Sequence, residues 1–170
     1  DRPVGGRVAF LGTSAATAYP GMGAGLLWAF PELMDAVAAG VWVGVVAAGR
    51  RSWAEPLVRQ LVGEGLVETI VTADDVTKPV PDPEAYQLAL ADLGIRPENT
   101  LAFTGSAAGL RAANSAGLAT VVVTGDPAAT RDIPDAAAVC ADYDGAEPLL
   151  VANCRRLHGR WWAAHKRSAA

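Results

Sequence analysis

The stretch LAFTGSAAGLRAANSAGL, residues 101–118, decides how this chain folds. A short apolar run ends at Gly105, and Ser106 then opens a helix of small residues that ends at Gly117. A strand that turns directly into a helix is typical of parallel α/β proteins, which place their functional groups beyond the carboxyl ends of the strands. A metal or phosphoryl site at such a corner needs carboxylates, whereas this corner offers Thr104, Gly105 and Ser106.

Apolar runs and helical segments alternate along the rest of the chain. Unbroken runs of Val, Ile and Leu are expected where both faces of a parallel sheet are buried. They predict strands at 8–11, 41–46, 69–72, 101–103 and 120–123, and a weaker sixth strand at 138–140. We therefore expect a Rossmann-like three-layer α/β sandwich with a parallel sheet of five or six strands, formed by one domain over residues 1–170.

Local signals mark where several helices begin. Ser52 with Glu55 predicts a capping box at the start of one helix. Asp82 followed by Pro83 predicts the first residues of another. A C-terminal helix is expected over about 147–165, because four residues fall at helical spacing on one apolar stripe: Leu150, Cys154, Leu157 and Trp161.

Composition narrows the classes of function. The 170 residues carry a net charge of −4, which argues against a nucleic-acid or membrane partner, although residues 155–170 contain basic residues and no acid. The two cysteines, Cys140 and Cys154, form no C-x-x-C motif, so we expect a reduced, cytoplasmic protein. Neither a signal peptide nor a membrane-spanning run is expected.

Residues 71–124 carry a more specific signal. The segment VTADDVTKPVPDPEAYQLALADLGIRPENTLAFTGSAAGLRAANSAGLATVVVT contains ADDV, KP-x-PDP-x-x-Y, LG-x-x-P and G-x-x-A-A-x-x-A-G in this order. With VGVVAAGRRSWAEPLV at residues 43–58, it resembles the haloacid dehalogenase (HAD) superfamily, in the branch of phosphoglycolate phosphatases and β-phosphoglucomutases. The resemblance implies a HAD-like core.

The family's chemistry requires acids that this sequence does not have in the matching places. The resemblance implies a nucleophilic Asp at the end of the first strand and a second Asp two residues later, where Leu11 and Thr13 stand. It implies a metal-holding Glu-Asp pair after the fourth strand, where Thr104 and Gly105 stand. We therefore expect no cofactor and no Mg²⁺ binding.

Of the two phosphate-binding residues that the resemblance implies, this sequence retains one and lacks the other. The Ser or Thr implied after the second strand is Ala47, whereas the implied Lys is present as Lys78. Lys78 is either a remaining anion ligand, together with the amides of Ala48 and Gly49, or a surface lysine kept with its loop. Arg50 and Arg51 are either anion ligands at a helix N-terminus or solvated side chains.

The cap domain of this branch is also expected to be missing. The resemblance implies that a cap of some tens of residues is inserted after the first strand, and here only residues 16–40 are available.

These observations lead us to expect a non-catalytic HAD-like domain that serves as a binding, scaffolding or assembly module for a protein partner or small ligand, with a homo-oligomer left open. The alternatives are a HAD-family phosphatase or hydrolase with an unusual site, and another enzyme that reuses the fold.

Overall fold

The computed structural model describes residues 9–14, 30–124, 135–141 and 146–168, and for residues 9–14, 30–33, 61–62 and 167–168 it describes the backbone alone. The expectation that no cap domain is present concerns residues 15–29 above all, and these lie outside the described residues. The organisation of residues 1–170 as one domain likewise stays a prediction.

One parallel sheet organises the described part of the chain. Its six strands stand in the order β3-β2-β1-β4-β5-β6, and every neighbouring pair is parallel. Each predicted strand overlaps an observed one, and the prediction of a parallel α/β sheet is confirmed. The strands are β1 (Ala9–Ser14), β2 (Trp42–Ala47), β3 (Thr69–Val71), β4 (Thr100–Thr104), β5 (Ala119–Val123) and β6 (Ala138–Cys140).

Helices cover both faces of this sheet. They are α1 (Phe30–Ala38), α2 (Arg51–Val62), α3 (Glu84–Leu93), α4 (Ala107–Ser115) and α5 (Val151–Ser168). Short 3-10 helices occur at Ala73–Asp75 and Pro97–Asn99. Among these described helices, none is both long and apolar enough to cross a membrane.

The central strand β4 shows how the two layers of the core are built. Side chains alternate between the faces of a strand, so Leu101 and Phe103 pack with α1 and α5, while Ala102 packs with α3 and α4. All five residues of β4 are buried. This double burial explains why the strand reads as a continuous apolar run.

Helix α5 is attached to the sheet by its apolar side and by a distant cap. Cys154 and Leu157 are 0% and 7% exposed in the cluster that α5 forms with the sheet. The Asp35 carboxylate on α1 accepts a hydrogen bond of 2.9 Å from the amide of Val151, the first residue of α5. This contact satisfies one of the amides that a helix N-terminus leaves without an internal partner.

The predicted apolar stripe of this helix is wrong at one position. Leu150 is 40% exposed, whereas the neighbouring Leu149 is 2% exposed. The helix begins at Val151 and not near residue 147, so helical spacing does not set the direction of Leu150. The helix also continues to Ser168, beyond the predicted end at 165.

We predict that Leu157→Ala lowers the free energy of unfolding by about 2–4 kcal/mol, because it removes buried apolar atoms between α5 and the sheet. The melting temperature should fall by roughly 5–15 °C in a circular dichroism experiment. Leu150→Ala is the matched control, since it removes the same atoms from an exposed side chain, and it should change stability by less than about 0.5 kcal/mol. Equal losses in the two variants would contradict the docking of α5.

Candidate functional site at the carboxyl edge of the sheet

The pairing register brings the ends of three strands together. Thr13 of β1 lies opposite Thr104 of β4, and Ser14 lies opposite Ala47 of β2. Leu11 lies two positions before Thr13 on β1. The strand order reverses between β1 and β4, and this reversal is the place where open parallel sheets bind ligands. Thr13, Ala47 and Thr104 therefore lie at one edge. Leu11 pairs with Gly44 and Ala102, three residues before the end of β1, and so lies inside the sheet and not at the strand end that the resemblance implies.

The corner after β4 is narrow and held by its own hydroxyl groups. The Thr104 side chain is buried and its Oγ1 accepts a hydrogen bond of 3.3 Å from the Ser106 amide. Ser106 Oγ accepts one of 3.1 Å from the Gly109 amide, which confirms the predicted cap of α4. A Cβ atom on Gly105 would lie 3.3 Å from the carbonyl oxygen of Val123, so the corner leaves little room for a side chain.

The turn after β2 lies under an indole ring. A Cβ atom on Gly49 would lie 2.8 Å from Cε2 and Cζ2 of Trp53 and 2.9 Å from its Nε1, so any larger residue at this position would displace the ring. The Gly49 carbonyl accepts a hydrogen bond of 3.0 Å from the Ala73 amide, which ties this turn to the chain that follows β3. Sequence reasoning missed Trp53, and the glycine two residues after the strand was the one available signal.

The predicted capping box at Ser52 and Glu55 is wrong. Helix α2 begins at Arg51, so Ser52 lies inside the helix, and Glu55 pairs with Arg51 at 3.2 Å. The cap comes instead from Asp74, whose Oδ2 accepts a hydrogen bond of 2.9 Å from the Arg51 amide. A residue 23 positions away in sequence supplies this acceptor, which local pattern reasoning does not detect.

Arg51 and Asp75 join the same two loops through a charged contact. Arg51 Nη2 lies 2.7 Å from Asp75 Oδ2 and donates a hydrogen bond of 2.9 Å to the Ile70 carbonyl. The amide and the hydroxyl of Thr72 both donate to Asp75 Oδ2 at 2.7 Å. Burial acts to raise the pKa of Asp75, but the hydrogen bonds from Thr72 and Arg51 outweigh burial, so this pKa lies below its ordinary value.

Lys78 stands on a loop that a carboxylate holds in place. Glu84 accepts hydrogen bonds from the amides of Thr77 at 2.9 Å and Lys78 at 2.8 Å. These two bonds lower the pKa of Glu84 below its ordinary value, and the bond from the Thr77 amide has the larger effect. The Glu84 amide donates in turn to Asp82 Oδ1 at 3.0 Å. The helix begins at Glu84 with Pro83 as its N-cap residue, one residue later than predicted. The Lys78 side chain itself is exposed to solvent.

The donor set at this edge does not fit the Mg²⁺ ion of the family. Ala47 and Gly105 offer no side-chain oxygen, and Thr104 offers a neutral hydroxyl, whereas Mg²⁺ is held by one or two carboxylates and further oxygens. In the part of the chain that the structure describes, no group of three or more His, Cys, Asp or Glu side chains could hold a metal ion.

The two cysteines considered from the sequence, and the histidines of α5, lie in or against the α5 layer. Cys140 and Cys154 are not joined by a disulfide, and both pack in the cluster between α5 and the sheet. On α5, the His165 ring stacks on the Trp161 ring at a centroid distance of 3.8 Å.

The strand order and the loops at the carboxyl edge define a doubly wound, Rossmann-like α/β protein. The family description of haloacid dehalogenase-like hydrolases matches residues 19–117. The chain belongs to this family, in its branch of CbbY, β-phosphoglucomutase and phosphoglycolate phosphatase proteins.

Individual relatives share parts of this chain. This chain is 38% identical over 82 residues to validoxylamine A 7′-phosphate phosphatase of Streptomyces hygroscopicus subsp. limoneus. The matched segment covers 48% of this chain and 38% of that protein. The chain is 34% identical over 94 residues to N-acetylmuramic acid 6-phosphate phosphatase of Pseudomonas aeruginosa, covering 55% of this chain and 42% of that protein. A crystal structure of CbbY from Rhodobacter sphaeroides in complex with phosphate is 27% identical, with a TM-score of 0.63, covering 70% of this chain and 54% of that chain.

This chain therefore spans less than half the length of these two phosphatases. Their names favour the alternative of a HAD-family phosphatase or hydrolase over a non-catalytic module.

We predict that Asp75→Asn lowers the free energy of unfolding at about pH 7 by about 1–2 kcal/mol, because Asn keeps an acceptor but loses the charge beside Arg51. In the folded protein the pKa of Asp75 lies below its ordinary value of 3.8, because Thr72 and Arg51 donate hydrogen bonds to the carboxylate. The ionised Asp75 carboxylate therefore contributes to folding stability above about pH 3.8. This contribution is lost as the pH falls through the lower pKa of the folded state. Urea unfolding should show wild type and variant converging as the pH falls below about 3.8.

Glu64→Gln makes the same charge change at an exposed position and serves as the control. A difference between wild type and Asp75→Asn that does not shrink in acid would contradict the paired state of Asp75.

Proposed function

We propose that this chain binds phosphate esters at the carboxyl edge of its sheet and does not hydrolyse them by the covalent route of its family. The observation that carries the proposal is the register of β1, which pairs Thr13 with Thr104 and Ser14 with Ala47. By the sequence resemblance, Thr13 and Thr104 stand where the family has carboxylates, and Ala47 stands where it has a hydroxyl. The proposal thus combines a family-like location with a changed set of side chains.

The cations at this edge support anion binding. Lys78 is exposed on a loop held by Glu84, and Arg50 is exposed in the turn that follows Ala48 and Gly49. Arg51 is less suited, since its guanidinium contacts Asp75 and its amide donates to Asp74. We therefore assign phosphate binding to Lys78 and Arg50, with the amides of Ala48 and Gly49, because ammonium and guanidinium groups bind phosphate through charged hydrogen bonds.

The class of ligand is taken from the relatives. Two of them are named for the phosphate esters of validoxylamine A and N-acetylmuramic acid. Both are polyhydroxylated ring compounds, and we extend that class, a phosphate ester of a ring polyol, to this chain.

The side chains at the edge explain why hydrolysis is not expected. Leucine at position 11 cannot attack a phosphoryl group, and Thr13 is a much weaker acid and base than the Asp it would replace. Enzymes lower barriers by at least about 8 kcal/mol, and a lysine beside a helix terminus does not supply so much. The proposal also includes the lack of a cap, because only residues 15–41 separate β1 from β2.

The second candidate is a working phosphatase, and the named relatives favour it. It requires a nucleophile other than Leu11. The described acids that follow β3 do not suit this role, because Asp74 accepts the Arg51 amide and Asp75 contacts Arg51 and Thr72.

We predict that Lys78→Ala weakens binding of inorganic phosphate at least fivefold, because it removes a unit charge next to the anion. Nitrogen–proton correlation NMR should show the amides of residues 48–50 shifting with phosphate in wild type and much less in the variant. Neither protein should turn over 4-nitrophenyl phosphate in the presence of Mg²⁺.

Lys166→Ala on α5 makes the same charge change at another exposed lysine and should leave phosphate binding unchanged. Equal amide shifts in wild type and Lys78→Ala would remove Lys78 from the site. Turnover that depends on Lys78 would overturn the non-catalytic proposal and favour the phosphatase.

We predict that replacing Leu11, Thr13 and Gly105 together by Asp creates Mg²⁺ affinity, because it adds carboxylates to the last four residues of β1 and to the residue that follows the neighbouring β4. The new side chain at 105 meets the Val123 carbonyl at 3.3 Å, so a shift of a few tenths of an ångström is required. Isothermal titration calorimetry with magnesium chloride measures the gain. The matched triple Asn variant has the same side-chain size without the charge, and equal binding by both would contradict the prediction.

A further inference from the structure

We propose that Trp53 contacts the organic part of the phosphate ester and selects ligands that carry a ring over acyclic ones. This inference rests on the proposed function, because it concerns the same edge of the sheet. The geometry that points to it is the contact between the indole ring and Gly49, in the turn that follows β2.

The ring is placed beside the strand end by close approach to the backbone. Three ring atoms lie within 2.9 Å of the position that a Cβ atom on Gly49 would take. Any residue other than glycine would push the indole away from the turn. The ring is therefore adjacent to Ala48 and Arg50, which are both exposed and which flank the contacted glycine.

The attachment of α2 to the sheet does not explain this position of Trp53. The inward side of α2 is formed by Ala54 and Val58, which are 1% and 4% exposed. Trp53 lies about 100° around the helix from Ala54, toward the side of the turn, and its side chain is only partly buried. Part of the aromatic surface thus stays accessible next to the proposed phosphate ligands.

The backbone beneath the Trp53 ring is held in place by hydrogen bonds. The Ala73 amide binds the Gly49 carbonyl at 3.0 Å, and the Arg51 amide binds Asp74 at 2.9 Å. The Trp53 amide itself donates to the Arg50 carbonyl at 3.2 Å in the first turn of the helix. A contact surface that is already ordered before binding loses little entropy when a ligand arrives.

The chemistry of indole fits a ring ligand. Its flat face can pack on the C–H face of a saturated ring and bury apolar area there. An acyclic ester offers no comparable flat surface. With Lys78 and Arg50 on the phosphate and Trp53 on the ring, the site has the usual composition of a ligand site, an apolar wall with few charged groups.

The test compares three probes on the full chain: inorganic phosphate, glycerol 3-phosphate and glucose 6-phosphate. Wild type should bind glucose 6-phosphate about fivefold more tightly than glycerol 3-phosphate. Trp53→Leu should bring this ratio to about one and leave the affinity for inorganic phosphate unchanged, and Trp53→Phe should keep most of the preference. Trp42→Leu, at the amino end of β2, is the matched control and should keep the wild-type ratio.

Each outcome decides a separate point. A ratio near one in wild type, or a ratio that Trp53→Leu retains, overturns the inference and leaves the proposed function standing if Lys78→Ala still weakens phosphate binding. Equal weakening of all three probes by Trp53→Leu shows that the ring only supports the turn, and this also overturns the inference. If no probe binds in a way that depends on Lys78, the proposed function fails and the inference fails with it.

A second measurement needs no variant, should Trp53→Leu fail to fold. Wild type with glucose 6-phosphate should show nuclear Overhauser effects between the indole protons of Trp53 and the ring protons of the sugar. The absence of these effects at saturating ligand overturns the inference.

Discussion

The parallel pairing of β1 with β2 on one side and β4 on the other is the constraint on which the rest of the structure depends. It places the ends of three chain segments, distant in sequence, at a single edge of the sheet. It also buries both faces of β4, so that one strand contributes Leu101 and Phe103 to one apolar layer and Ala102 to the other. Each helix layer is stable because the same sheet serves as its partner, and the candidate site is a consequence of this arrangement.

Carboxylates have an architectural role around this sheet. Asp74 and Asp75 accept backbone amides in the loop next to α2, and Glu84 accepts two amides of the loop that carries Lys78. Asp35 accepts the first amide of α5 in the same way. Hydrogen bonds to a charged acceptor are stronger than neutral ones. Acids thus fix the loops beside an edge whose own strand ends carry Thr104, Gly105 and Ala47.

Family membership and side-chain chemistry support different aspects of the function. The match over residues 19–117 and the named phosphatases favour phosphate-ester chemistry. The same fold supports many reactions, so the chemistry has to be argued from the side chains of the site. We therefore keep the phosphate ester as the proposed ligand and propose that the covalent step is absent. Trp53 adds an apolar surface to this edge, which is consistent with a ring-bearing ligand.

Much of the fold was determined by the sequence alone. Continuous apolar runs predicted the six strands, because parallel strands are buried on both faces, and Ser106 predicted the cap of α4 from its immediate neighbours. The family was also identified from motifs at residues 71–124. These features are local or repeat with a fixed period, so they can be recognised without three-dimensional information.

The tertiary structure decided the contacts between distant segments. Asp74 caps α2 from 23 residues away, where local patterns had predicted Ser52, and Asp35 caps α5 from 116 residues away. Leu149 is buried in place of the predicted Leu150, because the helix starts one residue after Leu150. The ring of Trp53 lies on Gly49 only because the turn after β2 brings the two together. In each case folding brings the two residues together, and their spacing in the sequence does not predict the contact.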